Sequence, residues 1–147
     1  MLDKVTAKTV CELLRGFEVE YKIEEDSQIF FTLDASEEFP HKLNVRIMIT
    51  EEYMKIYAFP DDFNISVGDS ADYMLAINDY NSWDVYIKGA LVIFKEINVI
   101  TIKVESIFKF SAPISVDYLW KDCILFSLMG IRDFYDSLET HKKKVLE

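Results

Sequence analysis

Glycine and proline are scarce, with four and three among 147 residues. That excludes a linker-rich or low-complexity chain and leaves regular elements joined by short turns. The glycines stand apart from one another, so they cannot make a phosphate-cradling loop. Cysteine is limited to Cys11 and Cys123, each in a helical pattern among apolar neighbours, which reads as two buried, reduced thiols. The only histidines, His41 and His141, have no second His or Cys at ligand spacing, which argues against a zinc site. Neither falls in a signature for activating a nucleophile. No apolar stretch reaches the ~20 residues of a membrane span, and the opening Met-Leu-Asp-Lys-Val-Thr-Ala-Lys lacks the apolar core of a signal peptide. A cytoplasmic address is expected. Basic residues are outnumbered, 16 against 26 acids, for a formal charge of −10. The expectation is therefore no nucleic-acid partner and no anionic membrane partner. Excess acid keeps a greasy protein soluble, and it suits a protein partner with basic patches.

What the chain does have is apolar and aromatic mass. Half of it is hydrophobic, with eleven Phe, eight Tyr and two Trp. Its length fits one domain, 1–147, that can bury a core without disulfide or metal. A helix is expected over 3–15, with Asp3 as N-cap and Gly16 ending it. The period then falls to two: Phe17, Val19, Tyr21 and Ile23 alternate with polar residues in a first strand. Glu24-Glu25-Asp26-Ser27 turns the chain into a second strand through Ile29, Phe31 and Leu33. A third runs through Leu43, Val45, Ile47 and Ile49, and a fourth from Tyr53 to Phe59, stopped by Pro60. Short polar turns make these four an antiparallel meander.

Ser66-Val67-Gly68-Asp69 resembles a capping box. A second helix to about Tyr80 is expected to turn Tyr73, Met74, Ile77 and Tyr80 or Asn81 inward. Strands over 84–94 and 97–110 follow. The earlier one is apolar on both faces and holds Gly89, which points to a central place in the sheet or a covered edge. Ser115 caps a last helix to about Lys142, with a stripe of Val116, Leu119, Trp120, Cys123, Ser127, Ile131 and Phe134. The expected fold is α+β: an antiparallel sheet of about six strands, helices on one face, in the order α-β-β-β-β-α-β-β-α.

No constellation of residues for bond chemistry emerges, so no catalytic residue, metal ligand or cofactor is assigned. The carboxylates Glu24-Glu25-Asp26, Glu37-Glu38, Glu51-Glu52 and Asp61-Asp62 occupy expected turns, where exposed acid is ordinary. Asp61-Asp62-Phe63-Asn64 lacks the alternating oxygens and closing Glu of a calcium loop. The most distinctive segment is the junction Asn78, Tyr80, Asn81 and Trp83. Asn tolerates left-handed backbone, so a helix C-cap stapled by Tyr80 and Trp83 is expected. On the last helix, Ile124, Leu125, Leu128 and Met129 widen the apolar stripe beyond one face. These four are the candidate partner-binding residues, for a homodimer or another protein.

The Asn-x-Tyr-Asn junction, the strands and long helix after it, and the helix-then-hairpin opening from Gly16 to Leu33 resemble the YbjN-like family, grouped as bacterial sensory transduction regulators. The family's fold looks like that of type III secretion chaperones. The resemblance implies a non-enzymatic regulator or chaperone-like binder, often dimeric, with no catalytic residues to carry over. The Phe- and Tyr-rich composition and acidic turns depart from the family pattern, so partner identity does not transfer. The leading expectation is a protein-binding module that adds a client segment to a strand edge. Two alternatives are an acidic immunity protein masking a basic toxin and a small acid-based hydrolase.

Overall fold

The computed structural model describes residues 1–17, 20–25, 27–110 and 113–147. The elements are α1 (Ala7–Leu14), β1 (Tyr21–Glu24), β2 (Gln28–Leu33), β3 (Leu43–Ile49), β4 (Tyr53–Pro60), α2 (Ser70–Trp83), β5 (Lys88–Phe94), β6 (Val99–Lys109) and a closing helix, α3, over residues 116–146. Among the described residues the strands form one antiparallel sheet in the order β1-β2-β3-β4-β6-β5. The α+β class, the element order and the meander are those the alternation implied.

The period of two explains the layering. Ile29, Phe31, Leu43, Val45, Ile47, Met54, Ile56, Ile102 and Val104 point to the helical side and are buried. Val10, Cys11 and Leu14 of α1 and Leu119, Ile131 and Phe134 of α3 meet them there. Three buried polar groups tie α3 to the sheet. Ser106 and Ser127 hydroxyls lie 2.7 Å apart, and the Tyr135 hydroxyl donates to the Ile102 carbonyl at 2.7 Å. Each is satisfied, so its burial costs little.

Two caps stand where expected. Ser66 Oγ accepts from the Asp69 amide at 3.2 Å, and Ser115 Oγ from the Tyr118 amide at 3.0 Å. Other details are corrected. The first helix is capped by Thr6, not Asp3, because Leu2 is drawn into a two-way backbone bridge with Ile114 (2.7 and 3.0 Å). The first strand begins at Tyr21; Phe17 closes a 3-10 turn, and Glu18, Val19 and Asp26 lie outside the described residues. Met74 and Val116 are exposed rather than inward.

Two corrections change the surface. β5 is an edge strand, not a central or covered one. It starts at Lys88 because the Asp84 carboxylate accepts from the amides of Tyr86 (2.8 Å) and Ile87 (2.9 Å), making 84–87 a turn. The last helix passes through a π segment, Leu119–Leu125, with the Phe126 amide bonding to the Lys121 carbonyl five residues back. The expected stripe stays buried through it at Leu119, Cys123, Ser127, Ile131 and Phe134. Ile124 and Leu128 are buried beside that stripe, Leu125 is half-buried, and Met129 is exposed. Of the four candidate contact residues, two are core residues.

Gly89 and Gly130 mark the tightest packing. A Cβ on Gly89 would lie 2.6 Å from the Phe134 ring, whereas one on Gly16 would meet nothing within 4 Å. Gly89→Ala is expected to cost about 1–3 kcal/mol, with Gly16→Ala under about 1 kcal/mol, as measured by urea unfolding. Cys11 and Cys123 are both free and buried, and burial pushes the Cys123 thiol up to about 11. Both thiols should resist iodoacetamide at neutral pH in the native protein and react once it is unfolded. Rapid native alkylation of Cys123 would refute the packing described for α3.

Candidate functional site

The junction between α2 and β5 is built by backbone-seeking side chains. Asn81, in the last turn of α2, donates from Nδ2 to the Gly89 carbonyl at 3.0 Å, and its Oδ1 accepts from the Gly89 amide at 2.9 Å. A side-chain amide thus pairs with one residue of β5 as a neighbouring strand would. Lys88 Nζ donates to the Asn81 carbonyl at 2.7 Å and to the Asp84 carbonyl, satisfying the exposed end of α2. The Tyr80 ring stands edge-on to Phe134 at 4.7 Å, and its hydroxyl reaches the Gly130 carbonyl at 3.5 Å. Burial pushes that hydroxyl's pKa upward.

This differs from a left-handed cap. Among the described residues, the non-glycine positions with positive φ are Glu25, Asp62 and Asn98; Asn78 and Asn81 are helical, and α2 continues to Trp83. Asn78 is exposed, and Trp83 is 71% exposed and so staples nothing. Its ring instead carries Lys144 Nζ at 4.4 Å. Both candidate groups nevertheless meet at one place, because Gly130, next to Met129, receives Ile87 and Tyr80 from the junction.

The consequence lies at the sheet edge. Gly89 turns its amide and carbonyl outward to Asn81, so by the period of two Leu91 and Ile93 turn theirs outward as well. Among the described residues no backbone group outside the sheet bonds to either. Exposed apolar side chains border this edge. Tyr86 precedes it, edge-on to Phe126 at 5.7 Å, and Ile93 (62% exposed), Phe94 and Ile97 (68%) lie at its far end. Sequence reading missed this surface because two-faced apolarity suggested cover.

The remaining candidates are dispersed. Glu24 ends β1 and Glu25 lies in the turn after it, Glu51-Glu52 lie in the β3–β4 turn, and Asp61-Asp62 follows β4. His41 is packed between the Phe39 and Phe63 rings, 5.2 Å from each. His141, with no ligand partner in its local sequence, has Nδ1 2.5 Å from Asp79 Oδ2, and Lys144 is 3.5 Å from the same carboxylate. This clasp holds the end of α3 on α2. The His141 hydrogen bond holds the Asp79 carboxyl below its usual range, so its stabilisation is present above the unfolded pKa and is lost as pH falls through the folded one. The melting temperature of Asp79→Asn should therefore fall less than that of the parent as pH drops below about 4. An identical fall in both proteins would dismiss the clasp.

No helix among the described residues is long and apolar enough to cross a membrane. No family model and no curated protein matches the sequence. A solved structure does match in fold: YbjN from E. coli, described as "a putative transcription regulator", superposes with a TM-score of 0.61 over 89% of this chain and 86% of that one, at 8% identity. The chain has the YbjN fold, as the junction and element order implied.

Proposed function

We propose that this chain is a non-enzymatic, regulatory protein-binding module, and that it takes an extended segment of a protein partner as an added strand along β5. The observation that carries this reading is an edge left open and apolar. Free strand edges are aggregation hazards, and proteins blunt them with charge, proline, bulges or brevity. β1 is blunted: it is four residues long and carries Lys22 and Glu24. β5 runs Gly-Ala-Leu-Val-Ile-Phe after Lys88, with no charge at all.

Strand addition explains the arrangement. Outward groups at Leu91 and Ile93 supply main-chain bonds, and Asn81 fills the position before them, which fixes where an added strand begins. Tyr86, Phe126 and Met129 then offer the aromatic and Met-rich surface typical of contact sites. A regulatory role is in keeping with the description of YbjN. The buried thiols suit a reducing compartment such as the cytoplasm.

The test is a photo-crosslinking residue at Ile93, with one at Lys22 on the opposite edge as control. Site-specific adducts to a defined protein, identified by mass spectrometry, are expected at Ile93 alone. Ile93→Lys should reduce binding of that protein at least about tenfold while leaving the melting temperature within about 2 °C, since the side chain is mostly exposed. Adducts from Lys22 rather than Ile93, or full binding by Ile93→Lys, would overturn the reading. An Ile93 adduct to a second copy of the chain would identify the partner as itself.

A further inference from the structure

The face of the sheet away from the helices bears no covering element among the described residues, yet it is not an ordinary wet face. In register, Phe30, Arg46, Tyr57 and Glu105 form one row across β2, β3, β4 and β6. The Arg46 guanidinium lies 4.1 Å from the Phe30 ring centroid and 5.8 Å from that of Tyr57. Stacking of this kind orients the guanidinium while leaving its edge N–H groups to bond elsewhere. Lys55 and Lys103 both pair with Glu105, at 3.1 and 2.9 Å, and both stand over Tyr57. Beside them Phe59 and Phe94 meet at 5.7 Å.

Apart from Glu105, these groups line one depression of about 450 Å³, within the range of small-molecule sites. Arg46, Lys55 and Lys103 line it; Glu105 pairs with both lysines, and the Asp61 carboxylate lies 3.4 Å from the lining residue Asn44, which leaves a local excess of one to two positive charges in a chain of −10. An acidic protein that concentrates uncompensated positive charge beside flat rings has the parts for a particular ligand class. A phosphate monoester carries ≈ −1.5 to −2 at neutral pH, which matches the excess. Arg46 can bond two of its oxygens at once, and Phe59 and Phe94 can take a planar ring. We propose that this face binds a small heteroaromatic phosphate monoester of the nucleoside monophosphate kind. A long polyanion matches less well, because the acidic remainder of the surface would repel whatever overhangs the depression. Phe94 also borders the far end of β5, but the other residues of the site lie away from that edge, and neither proposal requires the other.

The probes are adenosine 5′-monophosphate, adenosine and inorganic phosphate, titrated into the full chain by calorimetry and heteronuclear NMR. The nucleotide should bind and shift resonances of Phe30, Phe59 and Phe94, with adenosine and phosphate each at least about tenfold weaker. Arg46→Gln should weaken the nucleotide about tenfold. Should that variant fail to fold, the half-exposed Phe94 provides a second test: Phe94→Ser should weaken the nucleotide and leave phosphate affinity unchanged. No nucleotide binding at about 1 mM, or adenosine binding equally well, would overturn the proposal. So would a 5′-phosphorylated oligonucleotide binding more than about tenfold tighter than the mononucleotide, which would mark the face as a single-strand platform.

Discussion

The architecture hangs on a reciprocal close approach between α3 and the start of β5. Gly89 lies under the Phe134 ring, and Gly130 lies against Ile87 from the turn just before β5; a Cβ on either glycine would come within 2.6 Å of its neighbour. Each element therefore gives up a side chain where the other is bulky. Because interiors are packed at crystal-like density, two such fits fix both the height and the phase of the helix over the sheet. Tyr80 packs against the same Phe134, and its hydroxyl reaches Gly130. That places the end of α2 where Asn81 can pair with Gly89. Removing the fit would free α2, β5 and the turn between them together.

Much of the fold could be read from period alone, and the failures have physical causes. Alternation identified β2, β3, β4 and β6 because each buries one face and wets the other. β5 misled because alternation reports burial, not position. Its apolar outer residues looked like evidence of cover, while its place at the edge was set by the long β6 taking the slot beside β4. Ile124 and Leu128 were misplaced for another reason. The helix buries a wide arc, with Ile124 and Leu128 beside the Leu119, Cys123, Ser127 and Ile131 stripe, and apolarity alone does not distinguish cover from the same chain from cover by a partner. Asn81 sits at the junction but not as the helix cap its residue type suggested: its amide pairs with the next strand's backbone rather than with its own helix end. His141 is 62 residues from Asp79, so only the tertiary fold could pair them.

Charge is sorted by face. The acids gather in turns and on helix surfaces, while Arg46, Lys55 and Lys103 collect on the bare face of the sheet. Glu105 stands among them and serves an internal purpose: the two lysines hold its carboxyl below the ordinary range despite partial burial. Their ammonium groups are thereby kept over Tyr57 instead of ranging through solvent, where long side chains lose much conformational entropy on being ordered. Arg46 needs no carboxylate for the same end, because two rings hold it. Such a surface is ordered before any ligand arrives, which lowers the cost of binding.

The two edges of the sheet carry the functional argument further. If β5 were open only by neglect, Asn81 would have no reason to spend both polar groups of its amide on Gly89, since water could satisfy that residue equally well. What the pairing does is close the first outward position and leave Leu91 and Ile93 as the next available ones. An edge terminated at one end has a defined register, and register is what separates recognition from indiscriminate strand pairing. The apolar border from Tyr86 to Ile97 then tells a partner's two faces apart, because successive side chains of an added strand would meet alternately the helical layer and the bare face. On the strand-addition proposal, a guarded β1 and a β5 without charge after Lys88 have distinct roles in one sheet, the first closed to pairing and the second open at a set register.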